Sequence, residues 1–211
     1  MRPTIIKTFL ILFLTSSAWG QTTIRGTTTI TSDGISSDTI NNSPNKDFEN
    51  RINLRPIDSS DYKLEIRLYR LTAVTNKRTL RIVKFYDDKW EGLEFEENRK
   101  SSKVITHVIA PTLGYATFLR NLIEQNIFTL PNQSEVDKRI ENSYATKKEA
   151  LSSRPYVMDG YIFTVEFKIE DKFRIYQFSN PDSYSKYYKN VEEFKNYSSI
   201  QKMFEQDLVR K

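Results

Sequence analysis

Apolar and polar residues alternate along several stretches of the chain, and this pattern predicts β-strands. In Tyr62–Tyr69 the even-numbered residues, from Tyr62 to Leu68, are apolar. A period of two is typical of a strand with one buried face. Less regular stretches predict three more strands at 80–86, 89–95 and 103–109. Asp87 and Asp88 supply the turn between two of these strands.

Residues 161–178 predict a further hairpin, whose register depends on the length of its loop. A two-residue loop at 170–171 would place Phe167 opposite Arg174. A three-residue loop at 170–172 would place Phe167 opposite Ile175, so that the apolar residues of both strands share one face. A slip of one residue exchanges the two faces of a strand. Because it gathers the apolar side chains, we favour the three-residue loop.

Helical spacing follows the strands in two regions. Apolar residues recur on one stripe within 113–125 and again within 191–208, where a break is expected near Ser198. The polar stretch 135–143 is either a short helix or a loop. Runs of strands followed by helices indicate an α+β fold rather than a parallel βαβ fold. We therefore expect an antiparallel sheet of about six strands with helices on one face.

The stretch before the first clear strand has a different composition. Residues 21–57 are rich in Ser, Thr and Asn and contain one aromatic residue, Phe48. Such composition buries too little surface to offset the entropy of ordering. We predict a partly disordered leader over 21–57, most mobile at 31–46, with an edge strand as an option for 22–31. Residues 58–211 are expected to form a single domain.

The first twenty residues have the order of a secretory signal peptide. Arg2 and Lys7 precede a short apolar run, and small residues stand at Ala18 and Gly20. We expect residues 1–20 to be removed near Gly20, which would make the mature protein secreted or periplasmic. The apolar run is too short to span a bilayer, and no Cys is present to carry a lipid, so no membrane anchor is predicted.

Charge and residue counts exclude several kinds of chemistry. The chain of 211 residues has a formal net charge of +5, of which Arg2 and Lys7 contribute two. The mild charge that is left does not favour nucleic acid as a partner. The sequence has no Cys and one His. These counts exclude disulfides, thiolate catalysis and cysteine-ligated metal sites. No cofactor and no metal site are predicted.

No catalytic residue is predicted either. His107 lies in a predicted strand, where a single histidine is usually packed or hydrogen-bonded. Acidic pairs occur at 87–88, 96–97 and 192–193, but adjacent residues of a strand point to opposite faces. Spacing alone therefore does not bring two carboxyl groups into one site.

Aromatic residues give the candidate binding surface. In the favoured hairpin register, Lys168, Arg174, Tyr176 and Phe178 share the outer face of the hairpin. Aromatic rings beside arginine can stack on sugars or anchor a protein partner. The alternative is that the C-terminal helix packs over this face and buries the rings.

Three short fragments carry a resemblance to a group of proteins. They are Asp87–Trp90 at a hairpin, Asn126–Pro131 after a helix, and Asp159–Phe163 leading to Asn180-Pro181. In these, and over most of 62–208, the chain resembles uncharacterised small secreted proteins of Gram-negative bacteria. The resemblance implies a periplasmic or exported location and implies no activity.

These observations favour an exported, soluble, non-enzymatic domain that binds a protein or another macromolecule, as an inhibitor, adaptor or envelope component. One alternative is a carboxylate-dependent hydrolase of envelope sugars, which requires a cleft with two acids in unlike environments. A second alternative is a carrier of a small ligand, which requires an apolar cavity between sheet and helices.

Overall fold

The computed structural model describes residues 21–24, 28–31, 35–72, 74–144, 157 and 160–211. The predicted signal peptide, residues 1–20, lies outside the described residues. Two short strands, β1 (Gln21–Ile24) and β2 (Thr28–Thr31), pair with each other in a separate antiparallel sheet. Strands therefore form on described residues within 22–31, as the sequence allowed, but they do not join the edge of the main sheet.

The main sheet is antiparallel and has seven strands in the order β8-β7-β3-β4-β5-β6-β9. The strands are β3 (Leu64–Thr72), β4 (Lys77–Tyr86), β5 (Lys89–Asn98), β6 (Lys103–Pro111), β7 (Tyr161–Ile169), β8 (Lys172–Ser179) and β9 (Leu208–Arg210). The predicted α+β class and antiparallel sheet are confirmed. The strand beyond the expected six is β9, which is too short to show an alternating pattern.

In the part of the chain that the structure describes, five helices accompany the sheet. They are α1 (Lys46–Arg51), α2 (Tyr115–Glu124), α3 (Gln133–Tyr144), α4 (Pro181–Tyr187) and α5 (Glu192–Lys202), with a 3-10 turn at Ile57–Ser59 and a π-helical turn at Met203–Asp207. Asn126 stops α2 in the left-handed region at φ 57°. The polar stretch 135–143, for which the sequence allowed a helix or a loop, lies within α3. The C-terminal helix continues through Ser198, and its irregularity begins at Met203 instead.

The first face of the sheet carries the main core. In β3 this face presents Leu64, Ile66 and Leu68, which pack with buried residues of α2, α3 and α5. The stripe of α2, for example, buries Phe118, Leu119 and Leu122. Alternation in the strands and helical spacing in the helices thus meet in one layer. The prediction of helices on one face holds for α2–α5, whereas α1 lies on the other side of the sheet.

The second face is partly covered by residues 35–60, the covering segment, most of which belongs to the predicted leader 21–57. Phe48 of α1 is fully buried against Tyr69, Leu80 and Ile82. Ile57 is fully buried as well. Residues 35–57 thus pack as part of the folded domain. Composition did not predict this packing, because a few widely spaced apolar side chains are enough to hold a segment whose other residues are polar.

Candidate functional site

The hairpin of β7 and β8 has a two-residue loop at 170–171, so the favoured three-residue loop is wrong. Phe167 lies opposite Arg174, and Glu166 lies opposite Ile175. Glu170 turns the chain in the left-handed region at φ 54°, and its N–H donates to the carbonyl of Lys63. This register turns Tyr176 and Phe178 toward the helices and leaves Phe173 and Ile175 half-buried on the second face.

The four residues predicted to bind a partner are separated by this register. Tyr176 and Phe178 are buried in the main core on the first face, opposite Val165 and Phe163. Lys168 points to the second face, where its ammonium donates to the carbonyl of Ser60. The outer face shared by all four therefore does not form. Binding by any one of them stays a prediction.

Contacts of the Tyr176 and Phe178 rings explain why both are buried. The Tyr176 hydroxyl donates to the carbonyl of Ile127 at 3.0 Å, and burial raises the pKa of this hydroxyl well above its usual value. Phe178 stacks on Tyr197 of α5 with ring centroids 4.7 Å apart. Arg174 stays at the margin, with its guanidinium carbon 5.8 Å from the centre of the Tyr176 ring. The C-terminal helix thus covers this face, as the alternative interpretation held.

The remaining candidates from the sequence lie apart from one another. His107 lies half-exposed on β6, opposite Glu94. Glu96 and Glu97 point to opposite faces, and only Glu97 is buried. The prediction that neighbouring acids diverge is confirmed at this pair.

A cluster of buried charges, which the sequence analysis missed, lies between the second face and the covering segment. Arg67 of β3 has no exposed surface. Its Nε donates to Glu65 at 2.8 Å, and one terminal nitrogen lies 3.3 Å from Glu166 of β7. The other terminal nitrogen donates to the carbonyl of Arg55 at 2.7 Å. A buried guanidinium needs such acceptors, because its desolvation is costly.

Glu49 of α1 and Glu166 of β7 share their hydrogen-bond donors. The Tyr69 hydroxyl lies 2.6 Å from Glu49 and 3.3 Å from Glu166. The Ser43 hydroxyl likewise contacts both carboxyl groups. Burial, and then the charge of Glu49, raise the pKa of Glu166 to about 8, although Arg67 opposes the shift. Near neutral pH Glu166 therefore holds a proton.

The sequence did contain a signal for this cluster. Glu65 and Arg67 alternate with the apolar residues of β3, a pattern that normally indicates a solvated strand face. They are buried because residues 35–60 cover that face.

Beside the cluster, the covering segment leaves an open groove over the second face. The groove has a volume of about 570 Å³ and is floored by Leu93 and Phe95 of β5. Ile52–Arg55 form one wall. Tyr62 and Tyr86 lie opposite, in an edge-to-face pair with centroids 6.1 Å apart. The floor continues toward the edge of the sheet at Val108, which is directly opposite Leu93 and 54% exposed.

Lys84 is held inside the groove by neighbouring groups. Its ammonium lies 2.8 Å from the Tyr62 hydroxyl and 3.1 Å from Glu91. Burial alone would lower the pKa of Lys84, but the hydrogen bonds to Tyr62 and Glu91 outweigh burial and raise it. The lysine is therefore charged and already paired, so the groove offers mainly apolar and aromatic surface.

Comparisons with known proteins add no identification: no protein-family model, no curated protein and no solved structure matches this chain. None of the helices in the described ranges is long and apolar enough to cross a membrane. Within the same residues, no group of three or more His, Asp or Glu side chains is arranged to hold a metal ion. The acidic residues of the buried cluster are arranged around Arg67 instead.

Proposed function

We propose that this protein is an exported, non-enzymatic binding module whose groove on the second face takes a protein partner. The observation that carries the proposal is the apolar and aromatic floor left uncovered beside residues 52–62. Tyr86 is 53% exposed at its rim. Large, partly exposed aromatic residues beside a pocket are typical anchors of protein interfaces.

The rim of the groove has the character expected around such a site. Arg55 and Asp61 form an ion pair in which both side chains are mostly exposed. A polar, solvated rim around an apolar floor is the usual arrangement of an interface that forms and dissociates. The groove is also large enough for an inserted side chain, because binding pockets generally have volumes of about 300–1,000 Å³.

The acids of the groove favour binding over hydrolysis. Both carboxylate oxygens of Glu65 accept hydrogen bonds, one from Arg67 and one from Ser60. Asp61 is paired with Arg55 at the exposed rim. A hydrolase needs one acid that holds a proton and a second that stays charged, both in reach of a substrate. Glu166 does hold a proton near neutral pH, but it is fully buried beneath the cover.

Export is part of the proposal and is supported by the order of charged, apolar and small residues in 1–20. Sequencing the N-terminus of the protein recovered from cells tests it directly. A chain that begins near Gln21 supports export, and a chain that still begins at Met1 contradicts it.

Site-specific photocrosslinking tests the partner site. A benzoylphenylalanine residue would replace Tyr86, or Tyr187 as a control, since Tyr187 is a similarly exposed tyrosine at 46% and does not line the groove. We expect a discrete protein adduct from position 86 in cells of the source organism and none from position 187. The additional change Leu93→Lys should abolish the adduct.

Equal labelling from both positions, or an adduct that survives Leu93→Lys, would refute the groove as the partner site. Native mass spectrometry of the purified protein distinguishes the carrier alternative. A retained small molecule that is lost in the Leu93→Lys variant would show that the groove holds a ligand and not a protein.

A further inference from the structure

The rest of the chain closes one long edge of the main sheet, at β8, and leaves part of the other edge, at β6, open. Along β8, the backbone N–H groups that point outward all donate to side chains of other segments. The acceptors are Ser37 for Phe173, Asp38 for Ile175, Asn132 for Gln177 and Gln133 for Ser179, at 3.3, 2.7, 2.9 and 2.6 Å. An edge closed in this way cannot accept another strand.

The edge at β6 is closed over only part of its length. The strand β9 pairs with Ile109–Pro111, and the N–H of Lys211 donates to the carbonyl of Val108 at 3.0 Å. The backbone groups of successive strand residues point to alternate sides. Those of Val104 and Thr106 therefore point outward, as that of Val108 does. Among the described residues, no group forms a hydrogen bond with the outward backbone groups of Val104 and Thr106.

The open stretch has defined ends. At one end the chain turns at 99–102, where Ser102 takes a φ of 54°. At the other end Lys211 occupies the position beside Val108. Residues 103–107 are left between these limits, with Ile105 at their centre. The side chain of Ile105 is 45% exposed, which is unusual for an isoleucine in the middle of a strand.

We propose that residues 103–107 pair, antiparallel, with the same residues of a second copy of this chain, around a two-fold axis at Ile105. Val104 of each copy then lies opposite Thr106 of the other. Each of these residues donates its outward N–H and accepts at its outward carbonyl, so the open backbone groups of both copies are satisfied. The two Ile105 side chains meet on the first face.

Neighbouring registers leave some of the outward backbone groups without a hydrogen-bond partner. An axis at Thr106 would require the carbonyl of Val108, which Lys211 already uses. An axis at Val104 would require Ser102, whose backbone has left the strand conformation. The register at Ile105 brings no acid against an acid and no lysine against a lysine, so like charges directly opposite each other do not oppose a second copy.

The short paired stretch implies a weak dimer. Interfaces of this extent fall in the transient class, where association depends on protein concentration. The groove of the proposed function lies on the second face and does not require this pairing. The dimer therefore stands or fails independently of the partner site.

Single cysteines test the register, because the natural chain contains none. In the proposed dimer the two Ile105 positions form a pair that is not hydrogen-bonded, with Cα atoms about 4.5 Å apart, a separation that suits a disulfide. Ile105→Cys should give a disulfide-linked dimer under mild oxidation. Ile162→Cys is the matched control, since Ile162 is also a strand isoleucine and is 46% exposed. This variant should stay monomeric at the same concentration.

Analytical ultracentrifugation provides the second measurement. The unmodified protein should dimerise with rising concentration, Thr106→Val should behave in the same way, and Thr106→Pro should not dimerise because proline lacks the outward N–H. Equal crosslinking of the two cysteine variants overturns the proposal. So does a protein that stays monomeric throughout, or a dimer that Ile105→Cys fails to trap. If Thr106→Pro fails to fold, the cysteine comparison decides.

Discussion

At the scale of single residues, the buried cation Arg67 lies among three buried acids on the second face. Arg67 contacts Glu49, Glu65 and Glu166 within 3.5 Å. If all three acids were charged, the cluster would carry an uncompensated negative charge in an environment where charge is costly. The raised pKa of Glu166 removes part of this excess, because the protonated carboxyl group carries no charge.

The proton on Glu166 makes the stability of the fold depend on pH. In the folded state the pKa of Glu166 is about 8, whereas its ordinary value is 4.5. The folded protein thus binds the proton more tightly than the unfolded chain does. The stabilisation is complete below the unfolded pKa and is lost as pH rises through the folded pKa. Glu166→Gln mimics the protonated state at every pH.

We expect the difference in the free energy of unfolding between Glu166→Gln and the natural protein to grow in favour of the variant from pH 5 to pH 9. Its size should be on the order of a few kcal/mol. Urea unfolding at several pH values measures this difference. Glu124→Gln, at an exposed site on α2, is the control and should show no such trend. A parallel pH profile for both variants would contradict the protonation of Glu166.

At the scale of elements, the sequence was most informative where the two sides of an element differ in polarity. The α2 stripe and the alternation of β3 followed directly from periodicity, because each element packs its apolar positions onto the first face. The predicted register of β7 and β8 was wrong because apolar residues occupy both faces of β8. Counting apolar residues on one face then no longer identifies the correct pairing, and Tyr176 and Phe178 were assigned to the surface as a result.

The covering segment 35–60 was missed for a different reason. Its order depends on contacts with strands distant in sequence, such as those of Glu49 with Tyr69 and of Ser43 with Glu166. Local composition carries no information on such contacts. Since the groove is formed by this segment over β5, the candidate site could not be predicted without it.

Burial of apolar side chains attaches this segment to the sheet. Phe48 is its fully buried anchor, and Phe48→Ala should lower the free energy of unfolding by about 3–5 kcal/mol. Ile40 belongs to the same segment and is 66% exposed, so Ile40→Ala should change stability little. Hydrogen exchange should show faster exchange across 45–55 in the Phe48 variant alone. Unchanged protection there would mean that the buried charges, and not Phe48, hold the segment.

At the scale of the whole molecule, the covering segment also controls the edges of the sheet. It closes β8 through Ser37 and Asp38, while α3 begins beside the same edge with Gln133. The chain thus leaves one edge open over a short stretch and closes the other. One open edge allows a closed two-fold pair, whereas two open edges would allow an unlimited array of copies.

Freeing backbone donors on the β8 edge should therefore increase the size of the assembly. Asp38 accepts from the N–H of Ile175 at 2.7 Å, so Asp38→Ala leaves that donor without its acceptor on the edge of β8. We expect species larger than a dimer in sedimentation velocity at concentrations where the natural protein forms dimers only, because a strand with free donors recruits other edges. Asp58→Ala, at an exposed position of the same segment, should sediment like the natural protein. Identical sedimentation of the two variants would show that Asp38 does not restrict association, and the closure of β8 would then depend on its other side-chain acceptors.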